Sequence, residues 1–437
     1  MFIISLVYYD MYMDFFSKAY YWLTDYIGPD EKQVGRFFSN VKVSSSKRKT
    51  LDILGYLAQK NIVVINLYSE RKYRGYKYLT KTKRKQLYNN SLAIVADFEA
   101  YQTNSQPPDM NRIFDDIYKL GADPRPLMRY QDQIIYLKQI MTYLSPHSGR
   151  YSYRKSSTFG ELLKDPAHNK LVGDCNQIVT LYIYLYSLKY DITDLQLTTY
   201  PGHVCLHFKG IDIEATNGQF KKYSQPGQKT LAVQEIVSIN LLDISDSYFK
   251  TQKVLPEALL QSAKLAYLIS SERDIVQNNL TIAYKNIVAD LVGKKDFSAA
   301  LRYARQSNDT KLVNLVGHNG AVHYINNHQY SEALKYAKYA NDSGELTQNI
   351  YYNQGINYYQ TKNYDAAIRS FGRTNNQTMI KQCYIGLYNK AQSQLGSLNT
   401  VADVKKNAKT IRHMQTYAKK SGNAELIEYT NSLSKYT

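Results

Sequence analysis

A chain of 437 residues is too long for one ordinary hydrophobic core, so two or three domains are expected. The 55 Lys and Arg residues against 37 Asp and Glu give a net charge of +18, which suits a polyanionic partner but is equally typical of a Lys-rich proteome. The cysteines at 175, 205 and 383 form no CxxC pair, which excludes a disulfide framework and a four-cysteine zinc site. They fit a reducing, cytoplasmic compartment.

The first predicted domain, residues 1–125, is basic and rich in aromatic residues. Residues 1–28 are expected to form an aromatic helix that packs into the core, and no transmembrane span is expected because no run reaches about 18 apolar residues. The pattern predicts a helix over Leu51–Gln59 and a buried strand over Ile62–Tyr68. Lys32–Lys85 contains 15 Lys or Arg and two acidic residues, so this stretch is the best candidate for a polyanion contact.

The next elements lead into a second predicted domain, residues 126–255. Asp109 is positioned to cap a helix over 110–120, and Pro126 to begin another that ends near residue 144. Residues 146–155 are predicted to be a loop and residues 158–163 a short helix.

A cysteine at the start of an apolar helix is the first candidate functional residue. Asp174 is a predicted N-cap, which places Cys175 in the first turn of a helix running to about Lys189. A helix N-terminus stabilises a thiolate through the helix dipole and offers backbone N–H groups to a developing oxyanion. The neighbouring Asp174 carboxylate opposes a second negative charge. A cysteine that only packs in the core is the alternative.

The residues from 200 to 218 alternate in polarity and predict a β-hairpin with a tight turn at Lys209-Gly210. One face carries Val204, Leu206, Phe208, Ile211, Ile213 and Ala215, and the other carries His203, Cys205, His207, Asp212, Glu214 and Thr216. In this register Glu214 lies diagonal to His203 and Asp212 is one pair further away. Glu214 is therefore expected to orient the imidazole of His203, while Asp212 pairs with His207.

These residue types predict nucleophilic catalysis. A thiolate paired with an imidazolium attacks a carbonyl carbon readily, and His203 then protonates the leaving amine. The competing interpretation makes His203, Cys205 and His207 metal ligands, with Asp212 or Glu214 nearby. It is the weaker one, because alternate positions on one strand spread three ligands over about 13 Å.

The pattern resembles the transglutaminase-like (transglutaminase-core) superfamily over about residues 126–223. Gly173-Asp174-Cys175, Gly202-His203 and Ile213–Thr216 match the family's Gly-x-Cys, strand-initial His and acid before a small residue. The resemblance implies a papain-like α+β core in which Cys175 is the nucleophile, His203 the general base and acid, and Glu214 the third member. The family's usual third residue is Asp, so Glu214 is a departure.

The last predicted domain, residues 256–437, is expected to be all-helical. Lys295–Leu301, His328–Leu334 and Lys362–Ile368 align at a period of 33 to 34 residues, each with an aromatic residue, an Ala three positions on and then an aliphatic residue. This pattern resembles tetratricopeptide repeats over about residues 274–390. The resemblance implies stacked helix pairs that either support the first domain or bind a protein partner in a concave groove.

The expected function is cysteine-dependent acyl transfer on an amide or isopeptide bond, as in a peptidase, an amidase or a transglutaminase. A protein or peptide would be the substrate, the helical repeats would recruit a protein partner, and no cofactor or metal is expected. The alternative is a catalytically inactive adaptor that keeps the fold and acts through its repeats. A third hypothesis gives Lys32–Lys85 a role in binding nucleic acid or anionic lipid.

Overall fold

The computed structural model describes residues 21, 23–243, 254–396 and 398–437, and the chain divides into two compact units, Met1–Ala283 and Tyr284–Thr437. The described chain is mostly helical, with a small antiparallel sheet in the first unit. The expected boundaries after residues 125 and 255 do not coincide with this division. Residues from both sides of position 125 share one hydrophobic core, which explains why they belong to one unit.

Nine helices are described in the first unit before residue 270. They are α1 (Pro29–Asn40), α2 (Lys47–Lys72), α3 (Lys81–Asn104), α4 (Met110–Lys119), α5 (Gln131–Tyr143), α6 (Phe159–Leu162), α7 (Cys175–Ser187), α8 (Ile236–Leu242) and α9 (Pro256–Ile269). Asp109 caps α4 as predicted, and Thr158 caps α6 through a reciprocal hydrogen-bond pair with Glu161. The turn from Arg125 to Tyr130 is a 3-10 helix that precedes α5.

The strand predicted over Ile62–Tyr68 is wrong, because these residues continue α2. All seven are buried, and Asn61, with φ −169° and ψ 91°, marks a kink just before them. A helix buried on every side has an apolar run with no visible period, which sequence patterning does not separate from a buried strand. The helix predicted over Leu51–Gln59 is the first part of the same element.

The strands form two sheets. A parallel pair joins β1 (Tyr151–Tyr153), which lies within the predicted loop, to β2 (Leu171–Gly173). The antiparallel sheet has the order β6-β5-β4-β3-β7 and consists of β3 (Gln196–Tyr200), β4 (His203–Phe208), β5 (Ile211–Glu214), β6 (Gln219–Lys221) and β7 (Lys229–Ala232). The predicted hairpin register is confirmed, with Phe208 opposite Ile211 and His207 opposite Asp212.

Helix α7 lies at the centre of the first unit and positions the candidate site. It packs against α2 on one side and against β4 on another. Ten of its 13 residues are buried, from Gln177 to Tyr186. Cys175 at the N-terminus of this helix and His203 at the start of β4 line the same cavity.

Beyond α9 the described chain is helical. The elements are α10 (Arg273–Gly293), α11 (Phe297–Gln306), α12 (Thr310–Asn326), α13 (Tyr330–Ala337), α14 (Ser343–Gln360), α15 (Tyr364–Arg373), α16 (Gln377–Gln392), α17 (Val401–Lys406), α18 (Ala408–Ser421) and α19 (Ala424–Ser434). Successive helices pack against each other, α11 with α12, α13 with α14 and α15 with α16. This is the helical arrangement expected of the C-terminal region.

The 33 to 34 residue period reappears in the backbone. Lys295, His328 and Lys362 have φ values of 64°, 57° and 60°, and each ends the turn before a helix of one repeat. Ala300, Ala333 and Ala367, the small residues of the predicted motif, are fully buried. A side chain no larger than a methyl group at these positions lets neighbouring helices approach closely.

Within the described residues, none of the helices is both long and apolar enough to cross a bilayer. The aromatic helix predicted over residues 1–28 falls mostly on residues 1–20, which lie outside the described part of the chain.

Candidate active site

Cys175 is the first residue of α7, and its thiol is partly exposed, whereas Cys205 and Cys383 are buried. Asp174 caps the helix as predicted, since its Oδ1 accepts hydrogen bonds from the backbone N–H groups of Asn176 at 3.1 Å and Gln177 at 3.5 Å. The Gln177 Oε1 atom in turn accepts from the Asp174 N–H at 2.9 Å. The cap fixes where the helix begins and so places Cys175 in its first turn.

His203 links the thiol to the carboxylate of Glu214. Its Nε2 lies 2.6 Å from Glu214 Oε2, so Nδ1 is the ring nitrogen available for a contact with Cys175. Hydrogen bonding to Cys175, followed by hydrogen bonding to Glu214, raises the pKa of His203 to about 9 against the effect of burial. The imidazole is therefore held in its cationic form at neutral pH.

Glu214 is held by a dense set of donors. Its Oε1 accepts from the Thr216 N–H at 3.1 Å and the Thr216 hydroxyl at 2.5 Å, and its Oε2 accepts from the Tyr223 hydroxyl at 2.7 Å as well as from His203. Burial acts to raise the pKa of Glu214, but these hydrogen bonds outweigh it and lower the pKa to about 2. The Glu214 carboxylate is therefore ionised at neutral pH and bonded through both of its oxygens.

The secondary candidates form a separate pair. His207 Nδ1 lies 2.8 Å from Asp212 Oδ1, as the hairpin register predicts. Burial acts to raise the pKa of Asp212, but hydrogen bonds from His207, the Tyr223 N–H and Thr198 lower it. The structure therefore brings Cys175, His203 and Glu214 together and gives Asp212 a different partner.

The metal interpretation is not supported by the geometry. His203 and His207 each bind their own carboxylate, and Cys205 between them is fully buried. Across the part of the chain that the structure describes, no group of three His, Cys, Asp or Glu side chains is arranged to hold a metal ion.

A cavity of about 610 Å³ lies beside the thiol and the imidazole. Its apolar wall includes Val204, Leu231, Ile239, Leu242 and Val276, and its polar wall includes Tyr153, Lys155, Asp174, Asn176, Tyr200, Asp243 and Glu272. The cavity offers space for a substrate side chain within reach of Cys175.

Comparisons with known proteins gave no match. No family model, no curated protein and no solved structure is similar to this chain. The chemistry of the site therefore rests on its own geometry.

Three tyrosines that the sequence did not indicate also belong to the site. Tyr153 lies on β1 opposite Gly173 and lines the cavity, although its segment was predicted to be a loop. The ring of Tyr200 lies 5.0 Å from the ring of His203, and Tyr223 bonds Glu214. The alternation Tyr-Ser-Tyr over 151–153 is too short to separate β1 from a loop, and nothing local indicates the role of Tyr223.

Asp174 is a second titratable group beside the nucleophile. Burial and the nearby charge of Asp243 raise the pKa of Asp174 to about 7, against the hydrogen bonds of its helix cap. Below that pH the Asp174 carboxyl is neutral, and above it the ionised carboxylate opposes a thiolate at Cys175.

We expect Asp174→Asn to speed alkylation of Cys175 by iodoacetamide about threefold to tenfold at pH 8, with the difference disappearing toward pH 6. Asparagine caps a helix as well as aspartate does, so the fold is expected to be retained. Asp191→Asn is the matched control, because Asp191 caps a short helix turn at an exposed position. If Asp174→Asn is alkylated at the wild-type rate at pH 8, the Asp174 carboxylate has no electrostatic effect on the thiol of Cys175.

Proposed function

We propose that this chain catalyses cysteine-dependent acyl transfer on an amide or isopeptide bond, as a peptidase, an amidase or a transglutaminase does. The observation that supports the proposal is the ion pair of His203 with Glu214, at 2.6 Å, in a cavity that is also lined by the partly exposed Cys175 at the start of α7. Two of the three groups have the protonation state that the chemistry needs, since the Glu214 carboxylate is ionised and the His203 imidazole is cationic at neutral pH.

In the proposed reaction, the Cys175 sulfur attacks the carbonyl carbon of the substrate. The His203 imidazolium gives its proton to the leaving amine as the C–N bond breaks, which leaves a thioester on Cys175. Water or a second amine then attacks the thioester while His203 accepts the proton of that nucleophile. Glu214 keeps the imidazole oriented and stabilises its charge throughout.

The developing oxyanion has donors at the same helix terminus. Asp174 binds the N–H groups of Asn176 and Gln177, so the Cys175 N–H is the one left for the oxyanion in this turn. Tyr153 lines the same cavity, and its hydroxyl is proposed as a second donor for the negatively charged oxygen.

The order of these elements is the one expected of a transglutaminase-like domain, and that domain type is part of the proposal. The support is a Gly-x-Cys at the start of a buried helix, followed by antiparallel strands that carry His203 and Glu214. The helix pairs that recur every 33 to 34 residues support tetratricopeptide-type repeats in the second unit. A protein partner is proposed to bind there, where Leu315 and Val322 expose apolar side chains on α12.

The proposal is tested by the rate at which Cys175 is alkylated between pH 5 and 8, measured by mass spectrometry on the full chain. An unactivated, half-buried thiol reacts more slowly than free cysteine, whereas a thiolate paired with His203 is expected to react about tenfold faster at pH 6. His203→Gln is expected to remove that advantage. A wild-type Cys175 that reacts more slowly than free cysteine at every pH would contradict an activated nucleophile.

A further inference from the structure

A second histidine–carboxylate pair lies beside the first, and the proposed reaction does not use it. Asp212 is 3% exposed, and its Oδ1 accepts from His207 Nδ1 at 2.8 Å and from the Thr198 hydroxyl at 2.7 Å. A buried carboxylate with these hydrogen bonds is held in a fixed position, so it also fixes the group that is bonded to its other oxygen, Oδ2.

His207 has a structural role in this pair, because the hairpin engages both of its ring nitrogens. The Gly210 N–H donates to His207 Nε2 at 3.2 Å, so Nε2 is an acceptor and the ring proton lies on Nδ1. That proton is the one donated to Asp212. Both ring nitrogens of His207 are therefore occupied by the hairpin itself.

The remaining oxygen of Asp212 holds Tyr223. Asp212 Oδ2 accepts from the Tyr223 backbone N–H at 2.8 Å, and the Tyr223 hydroxyl donates to Glu214 Oε2 at 2.7 Å. The pairing of β5 with β6 ends at Lys221, so strand pairing does not fix the backbone at Tyr223. One residue thus bridges the two carboxylates, with its main chain on Asp212 and its side chain on Glu214.

The Tyr223 hydroxyl acts on the same oxygen that orients His203. Glu214 Oε2 is shared between His203 Nε2 and the Tyr223 hydroxyl, while Oε1 is held by Thr216. Two anchored oxygens leave the carboxylate no freedom to rotate, which keeps Oε2 in line with the imidazole. Tyr200 packs against both rings, at 5.0 Å from His203 and 5.4 Å from Tyr223.

We propose that Asp212 and Tyr223 are positioning residues that hold the Glu214 carboxylate against His203, so that the second histidine–carboxylate pair serves the first. This inference rests on the proposed function, because positioning matters only if Cys175 and His203 react. The order of contacts is His207 to Asp212, Asp212 to the Tyr223 main chain, and the Tyr223 hydroxyl to Glu214.

The test uses the resting full-length protein and two readouts, the NMR titration of the His203 ring and the pH profile of Cys175 alkylation by iodoacetamide. Tyr223→Phe and Asp212→Asn are each expected to lower the midpoint of the His203 titration by about one pH unit and to slow alkylation at pH 6 several-fold. The double variant is expected to match the single variants, because both changes break one chain of contacts.

Tyr186→Phe is the matched control, because the buried Tyr186 also donates its hydroxyl to a carboxylate, that of Asp194, at 3.1 Å. It is expected to leave both readouts unchanged. If Asp212→Asn fails to fold, Tyr223→Phe still tests the proposal, because it removes one oxygen and leaves the main-chain anchor in place.

The inference is overturned if Tyr223→Phe leaves the His203 titration unchanged. It is also overturned if the double variant lowers the midpoint of the His203 titration by the sum of the two single-variant shifts. Failure of the proposed function gives a different result, a wild-type Cys175 with no enhanced reactivity. The His203 titration then still reports whether Tyr223 positions Glu214, because it requires no turnover.

Discussion

Replacing Cys175 by alanine is expected to abolish acyl transfer, lowering the rate by about 10³-fold or more. The reason is that His203 and Glu214 act only through the sulfur, so without it they retain no nucleophile to activate. The measurement uses p-nitrophenyl acetate as a general acyl donor and follows the burst of p-nitrophenolate together with the mass of the acetylated chain. The wild type is expected to give one acetyl group, located on Cys175.

The other two cysteines provide the controls for that result. Cys205 and Cys383 are fully buried, and burial raises the pKa of both thiols, to about 11 for Cys383. Their alanine variants are expected to keep the burst, because neither sulfur is exposed to the donor. A burst of equal size in the Cys175→Ala protein would remove the catalytic proposal and leave an adaptor that acts through its helical repeats.

The parts of the site that the sequence predicted are those governed by local interactions. The turn at Lys209 and Gly210 has φ values of 46° and 96°, the geometry that a two-residue hairpin requires, and it sets the register of both flanking strands. Strict alternation then places His203 and Glu214 on the same face. The Asp174 cap is equally local, since it lies within the four residues from Asp174 to Gln177.

The parts that the sequence did not predict depend on distant contacts. Tyr223 reaches Glu214 only because β6 returns beside β5, and β6 has three residues, too few for a clear alternation. The same limit applies to Ile62–Tyr68, which belong to α2, a helix that packs against α1, α7, α8 and α9. No pattern within those seven residues reveals which elements surround them.

The helical repeats were predictable for the opposite reason. Each repeat places an aromatic residue and an alanine in the same environment, so the period is visible in sequence and structure alike. Ala300, Ala333 and Ala367 share full burial although they lie on different helices. The burial of these alanines depends only on contacts between neighbouring repeats. The sequence pattern of a repeat is therefore enough to predict it.

The Lys32–Lys85 stretch exposes fewer positive charges than its sequence suggests. Two of its arginines, Arg74 and Arg84, are buried. Arg74 lies 3.5 Å from Glu70, and Arg84 lies 2.9 Å from Glu31. Buried guanidinium groups do not reach a polyanion, so any such contact is left to the exposed lysines. Counting charges along the sequence does not separate the two kinds of cation.

Glu31→Ala is expected to destabilise the fold by about 3–5 kcal/mol, because it removes the buried carboxylate that pairs with Arg84 and leaves only Asp25, a largely exposed carboxylate 3.5 Å from the guanidinium. Glu31 is 2% exposed, and it also accepts hydrogen bonds from the Ile27 N–H at 2.8 Å and the Tyr88 hydroxyl at 2.7 Å. Urea denaturation followed by circular dichroism measures the change in the free energy of unfolding.

Two further variants make the Glu31 result specific. The double change Glu31→Leu with Arg84→Met is expected to recover much of the loss, because removing both charges of a buried pair leaves neither unpaired. Lys85→Met is expected to change stability by less than about 0.5 kcal/mol, since Lys85 is exposed on the same helix. A loss below about 1 kcal/mol for Glu31→Ala would mean that water reaches Arg84, and Arg84 would then return to the set of cations available to a polyanion.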